Sequence, residues 1–196
     1  MTSIGLLISG RGSNMDAILD RVKSGDLKAN VSFVASDRPG APGLEKAAAR
    51  GVKTELLPYE NGKEAAEEHL HRLWRRHDLG WLVLAGFMRI LSPGFVSSHA
   101  GRIVNIHPAL LPSFPGAHGI EDAWGYGVKV TGVTVHLVDE LVDHGTILSQ
   151  MPVRVKPNDN METLERRIHR AEHRLYWRTL EKLFSGIIHT GKDDSR

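Results

Sequence analysis

Asn105 and His107 stand two residues apart in RIVNIHPALLPSFPG (residues 102–116), a strand-like run that passes into a segment stiffened by Pro108, Pro112 and Pro115. In a strand, residues i and i+2 share a face, so the amide and the imidazole project together with Ile103, while Val104 and Ile106 point the other way. His107 is then a candidate general acid or cationic stabiliser, and Asn105 a candidate donor to a developing oxyanion. A lone histidine is more often structural or exposed, and this chain has eleven. Position at a strand end, ahead of a proline-stiffened loop, is what favours function.

Four further stretches carry chemistry of their own. DELVDHGTIL (139–148) crowds Asp139, Glu140, Asp143 and His144 into one connection. A carboxylate there could reach His107 and favour its charged form, although a solvated acidic turn has the same composition. A metal site on His136, Asp139 and His144 is conceivable, but the spacing matches no zinc or calcium pattern. ISGRGSNMDAIL (8–19) reads as strand, glycine turn and helix, with Ser13 and Asp16 resembling a capping box. The free N–H groups of such a helix start can hold an anion, which makes Gly12, Ser13 and Asn14 candidate phosphate ligands; an ordinary βα turn is the alternative. Met15 occupies the position of the third glycine in a dinucleotide fingerprint, so a dehydrogenase using Asp37 as its ribose ligand is disfavoured. In AGFMRILSP (85–93), Met88, Ile90 and Leu91 offer an apolar wall at a strand's carboxyl end, or simply the end of a core strand. In RAEHRLY (170–176), Glu172 borders an apolar helical stripe, facing either a cleft or a surface ion pair with Arg170 or Arg174.

The elements that must hold these residues follow from hydrophobic periodicity. Strand-like runs at 3–9, 31–36, 53–58, 81–86 and 102–107 alternate with helical patterns such as Met15, Ile18, Leu19 and Val22, then 44–51 and 63–76. That alternation predicts an α/β fold: a mostly parallel twisted sheet with helices on both faces and a Rossmann-like N-terminal half. After about residue 127 the pattern becomes hairpin-like, with strands within 128–140 and 146–155, and Thr134, His136 and Val138 are expected on a less buried face. A last helix is expected over 161–184, followed by a frayed tail. With 196 residues the chain can bury one core, and with no cysteine it has no disulfide, zinc-thiolate site or cysteine nucleophile. The 25 basic and 23 acidic side chains are interspersed, which is no nucleic-acid footprint. No signal peptide or membrane span is legible, so a cytoplasmic protein without a membrane partner is expected.

In their order and spacing, ISGRGSN, LAGFMRIL, NIHPALLPSFPG, TGVTVHLV, the Asp143 loop and AEHRLY closely resemble the phosphoribosylglycinamide formyltransferases of purine synthesis, over about residues 4–184. The resemblance implies the formyltransferase fold in a single domain, 1–196. About 1–100 would form the mononucleotide and phosphate-binding half, about 101–184 the catalytic and folate-completing half, and 185–196 a tail. It implies 10-formyltetrahydrofolate as co-substrate, glycinamide ribonucleotide as formyl acceptor, no metal, and a monomer or homodimer. By the same resemblance Asn105, His107 and Asp143 are catalytic. Gly12, Ser13 and Asn14 would hold the substrate phosphate and Glu172 a ribose hydroxyl. The pterin would lie against Met88, Arg89, Ile90 and Leu91 and against Asp139, Glu140, Leu141 and Val142. Lys63 stands where relatives often carry an arginine near the folate, and a cis bond at Leu111-Pro112 is implied. Related formyltransferases differ: a deformylase would carry an N-terminal regulatory domain and a second histidine in place of Pro108, and a methionyl-tRNA formyltransferase an added C-terminal domain. A non-catalytic sensor of a phosphorylated ligand is the remaining reading from another class.

Overall fold

The computed structural model describes residues 1–188, and the stretch 189–196, most of the expected tail, lies outside them. Five strands run parallel: β1 (Thr2–Ile8), β2 (Ala29–Ser36), β3 (Thr54–Leu56), β4 (Trp81–Leu84) and β5 (Ile103–His107). Two more, β6 (Val130–Leu137) and β7 (Ile147–Arg154), extend the sheet antiparallel. One seven-stranded sheet results, in the order β3-β2-β1-β4-β5-β6-β7. The helices are α1 (Ser13–Ser24), α2 (Pro42–Ala49), α3 (Lys63–Arg76), α4 (Pro93–Ser98), α5 (Gly119–Tyr126) and α6 (Met161–Phe184).

Burial on both faces follows from the period of two. Ile4, Leu6 and Ile8 of β1 join Val83, Val104 and Val135 in one core against Met15 and Ile18 of α1 and Leu164, Ile168 and Leu175 of α6. Their neighbours Leu7, Leu82, Leu84 and Ile103 form a second core on the opposite face, against Leu70, Leu73 and Trp74 of α3 and Phe95 of α4. Ile103 sits in that second core and Val104 and Ile106 in the first, so Asn105 and His107 face the α3–α4 side, as alternation requires. Among the described residues no helix is long and apolar enough to cross a membrane.

The strand order reverses beside β1, with β2 on one flank and β4 on the other. Loops diverge at such a switch point and leave a crevice at the strands' carboxyl ends. Here the loops after β1 and β4 are tied together: Ser9 N donates to Gly86 O (3.0 Å) and Met88 N to Ser9 Oγ (2.8 Å).

Two expectations need correcting. The β6 face carrying Thr134 and His136 is buried, at 0% and 2% exposure, because the loop after β5 folds over it. Thr134 Oγ1 donates to Ala109 O (2.7 Å) and accepts from Leu111 N (3.0 Å). Ser13 and Asp16 form no capping box: Gly12 is the N-cap, in the left-handed region at φ 68°, and Asp16 pairs with Lys46 (2.9 Å) and Arg50 (3.3 Å) of α2 and its C-cap. The short helices α4 and α5 had no legible periodicity, since six and eight residues hold too few turns to show one.

Candidate active site

The register of β5 and β6 assembles the site. Asn105 lies opposite His136 and His107 opposite Thr134. The chain then leaves β5 through Pro108, passes the cis Leu111-Pro112 bond, and is held down by Gln150, whose Nε2 donates to Leu111 O (2.9 Å) and Thr134 Oγ1 (3.0 Å). Phe114, at φ 56°, turns its carbonyl back to His107 Nε2 at 2.7 Å. A carbonyl only accepts, so Nε2 is the donor and carries a proton. The other nitrogen, Nδ1, lies 3.3 Å from Asp143 Oδ2.

Asp143 reaches this position from the β6–β7 connection in a left-handed conformation, φ 53°. Its Oδ2 also accepts from Gly116 N (2.7 Å), and its Oδ1 lies 3.5 Å from His136 Nε2. Burial pushes the Asp143 carboxyl up, but contact with His136, the Gly116 N–H and the charge available on His107 outweigh it and hold the group below the ordinary carboxylate range. His136 Nδ1 donates to Leu137 O (2.9 Å); in the neutral ring Nε2 accepts from Asn105 Nδ2 (3.2 Å), and in the charged ring its proton faces Asp143 Oδ1. One Nδ2 hydrogen of Asn105 is thereby used and the second is left for a ligand.

A cavity of about 280 Å³ opens beside this cluster. Its floor includes Asn105, His136 and Asp143; one wall is Met88, Arg89, Ile90 and Leu91, and the facing wall is Asp139, Glu140, Leu141 and Val142. Met88, Ile90, Leu141 and Val142 are 59%, 64%, 61% and 50% exposed, an apolar rim of the kind that marks a ligand site rather than a finished surface. The walls are braced from outside, by Arg89 Nε on Asp37 Oδ2 (2.7 Å), Ser97 Oγ on Glu140 Oε1 (2.5 Å) and His144 Nδ1 on Asp139 Oδ2 (2.9 Å).

Of the sequence-predicted residues, the structure brings together Asn105, His107 and Asp143 and gathers eight of the nine expected folate contacts around one cavity; Lys63 opens α3 and is not among its lining. Gly12, Ser13 and Asn14 form the start of α1, whose first turn receives no side-chain cap, and Asn14 Oδ1 is buried without a partner. Glu172 is buried on α6 and pairs with His169 at 2.7 Å, not with Arg170 or Arg174. Asp37, the ribose ligand of the disfavoured dehydrogenase reading, gives Oδ2 to Arg89, while its Oδ1 is buried without a partner among the described residues. Of the residues weighed for a metal, His136 turns to Asn105 and His144 pairs with Asp139, and among the described residues no three His, Asp or Glu side chains are grouped as metal ligands. His136 as a partner of Asn105 was missed, as were the Phe114 carbonyl and the Gly116 N–H. Only the antiparallel register, which the local pattern of VTVHLV does not contain, brings His136 to the site.

Residues 2–180 match the formyl transferase family. The chain belongs to that family. It is 38% identical over 195 residues to the phosphoribosylglycinamide formyltransferase of Bacillus subtilis, covering 98% of this chain and 99% of that protein. It is 46% identical over 171 residues to the enzyme of the same name from Mycobacterium tuberculosis, covering 87% and 79%. The crystal structure of phosphoribosylglycinamide formyltransferase from Bacillus halodurans superposes with a TM-score of 0.91 at 40% identity, over 95% of this chain and 97% of that one. The seven-stranded α/β sheet is therefore the formyltransferase fold.

Proposed function

We infer that the protein transfers the formyl group of 10-formyltetrahydrofolate to the primary amine of glycinamide ribonucleotide, a step of purine biosynthesis. The observation that carries this is the cavity between two apolar walls whose floor presents an amide and a carboxylate, with an imidazole behind them, beside an uncapped helix start. Its membership of the family and its near-full-length similarity to enzymes of this name support the same reading.

The first half of the chain supplies phosphate recognition, at Gly12, Ser13 and Asn14, and the second half supplies the chemistry. The apolar walls take the flat pterin, and the bound ligand covers their exposed side chains. The ribonucleotide amine attacks the formyl carbon, the carbonyl π electrons move to oxygen, and a tetrahedral oxyanion forms. Asn105 donates its free Nδ2 hydrogen to that oxygen, and the His107 ring, in its charged form, stabilises the negative charge from behind. Donors of this kind are worth about 3 kcal/mol each in the transition state. Asp143 holds His107 in the orientation set by Phe114 and, through water, takes the proton the attacking amine must lose and returns it to the folate nitrogen as the carbon–nitrogen bond breaks. No step calls on a metal.

The test is appearance of the deformylated folate, followed by its absorbance, with and without glycinamide ribonucleotide. Product formation that requires the ribonucleotide supports the assignment. Release of formate to water at the same rate in its absence would make the protein a hydrolase instead.

A further inference from the structure

His169 and Glu172, three residues apart on α6, form a pair for which the chemistry above has no use. His169 Nδ1 lies 2.7 Å from Glu172 Oε2, and Nε2 lies 3.3 Å from Glu165 Oε1. Both partners are carboxylate oxygens, which accept, so the surroundings favour a ring protonated on both nitrogens. The Glu172 hydrogen bond raises the His169 pKa; burial opposes it, and the Glu172 charge and the Glu165 contacts add to it. Glu172 itself is 4% exposed. A carboxylate so placed is costly unless it is paired, and His169 is its sole hydrogen-bond partner among the described residues. Only Oε2 is engaged, and Oε1 has no partner among those residues.

The helix that carries the pair packs on the helix that begins at the proposed phosphate loop. Asp16, in the first turn of α1, acts on His173, the residue after Glu172. We propose that His169 is a positioning residue for the ribonucleotide: it clamps one oxygen of Glu172 so that the other accepts a sugar hydroxyl. The proposal rests on the reading of Glu172 as a ribose ligand. His173 does not duplicate the clamp, since burial lowers its pKa and its Nε2 is buried without a partner. The charges facing His169 are Glu165 and Glu172, with His173 and Asp16 beyond them, and no ion pair reaches it from α1, α5, β6 or β7 among the described residues.

The sign of the pH effect follows. A histidine whose folded pKa is raised is charged below that value, so the clamp is complete below about pH 6.5 and weakens as pH rises through the raised value. The KM for ribonucleotide should therefore climb with pH in the wild type. The measurement is KM and kcat for wild type, His169→Ala and His169→Gln from about pH 6 to about pH 9, with the dissociation constant of glycinamide ribonucleotide from calorimetry. His169→Ala should raise ribonucleotide KM about tenfold at the acid end, move kcat far less, and lose the wild-type climb. His169→Gln, which keeps an N–H donor but not the charge, should recover part of the affinity and stay flat with pH. Ionisations of the substrate are common to all three proteins and cancel in the ratios. A variant-to-wild-type KM ratio that is unity, or that does not change with pH, would overturn the clamp. A wild type that binds the ribonucleotide but transfers no formyl group would count against the function alone, because the calorimetric comparison needs no turnover.

Discussion

Tyr176→Phe removes one hydroxyl from the middle of the molecule and leaves its packing intact. Tyr176 is 1% exposed, and its hydroxyl lies 2.9 Å from Leu84 O and 3.0 Å from Val104 O, the carbonyls of two adjacent strands that lead into the site. Burial first, and then the charge of Glu172, raise its pKa well above the ordinary value, so the group is a neutral donor at all working pH values. It has one proton to share between two buried acceptors, so its loss costs about one hydrogen bond plus part of a desolvation penalty, about 1–2 kcal/mol. For a chain of this length each kcal/mol moves the midpoint of thermal unfolding by about 2–4 °C, which gives a fall of about 2–8 °C. Tyr176→Leu, which also empties part of the ring's volume, should fall further. Thermal unfolding by circular dichroism measures all three proteins. A Phe variant within about 1 °C of wild type would refute the assignment of this hydroxyl as the tie between β4, β5 and α6.

Gly145→Ala tests the loop that delivers Asp143: a Cβ there would lie 1.9 Å from Leu137 O, so the 139–144 segment must move. With fold retained by circular dichroism, kcat/KM for formyl transfer should drop about 100-fold, the usual scale for a catalytic group displaced by about 1 Å. His99 is stacked on Trp74 at 3.8 Å and 16°, and its pKa is pushed down to about 4, by burial first and then by the charges of His71 and Arg102. Between about pH 6.5 and about pH 4 the unfolded chain binds a proton that the folded chain does not, so stability falls as pH falls. His99→Phe, which keeps the stack, should flatten that slope in urea unfolding. Asp143 works in the same direction at lower pH: its folded pKa is depressed, so its stabilisation is present above its ordinary value and lost below about pH 4. The wild-type advantage over Asp143→Asn in urea unfolding should narrow there.

The sheet was legible because its chemistry is local. Alternating apolar residues in β1 and the i, i+3, i+4 stripe of α1 each declare an element within a dozen residues, and the order of elements then leaves few topologies. Asn105 and His107 were legible for the same reason, since two residues of one strand share a face whatever surrounds them. Tertiary pairing was not. The burial of Thr134 and His136 depends on a loop from another part of the chain settling on β6, and the role of His136 depends on the β5–β6 register. Glu172 was legible as a helix-face carboxylate, and its pairing with His169 rather than with Arg170 or Arg174 follows from helix geometry, since residues three apart share a face and residues two apart do not. Lys63 stands at the start of α3, and only the resemblance, not its local pattern, relates it to the folate.

The central claim, that the amide and carboxylate at the cavity floor and the imidazole behind them perform the transfer, is tested most directly by kcat at saturating concentrations of both substrates. The comparison is wild type beside His107→Ala and Asp143→Asn, with the ribonucleotide dissociation constant measured for each. The account expects turnover to fall by about 100-fold or more in both variants while the dissociation constants stay within about twofold of wild type. Turnover within about threefold of wild type in either variant would contradict it.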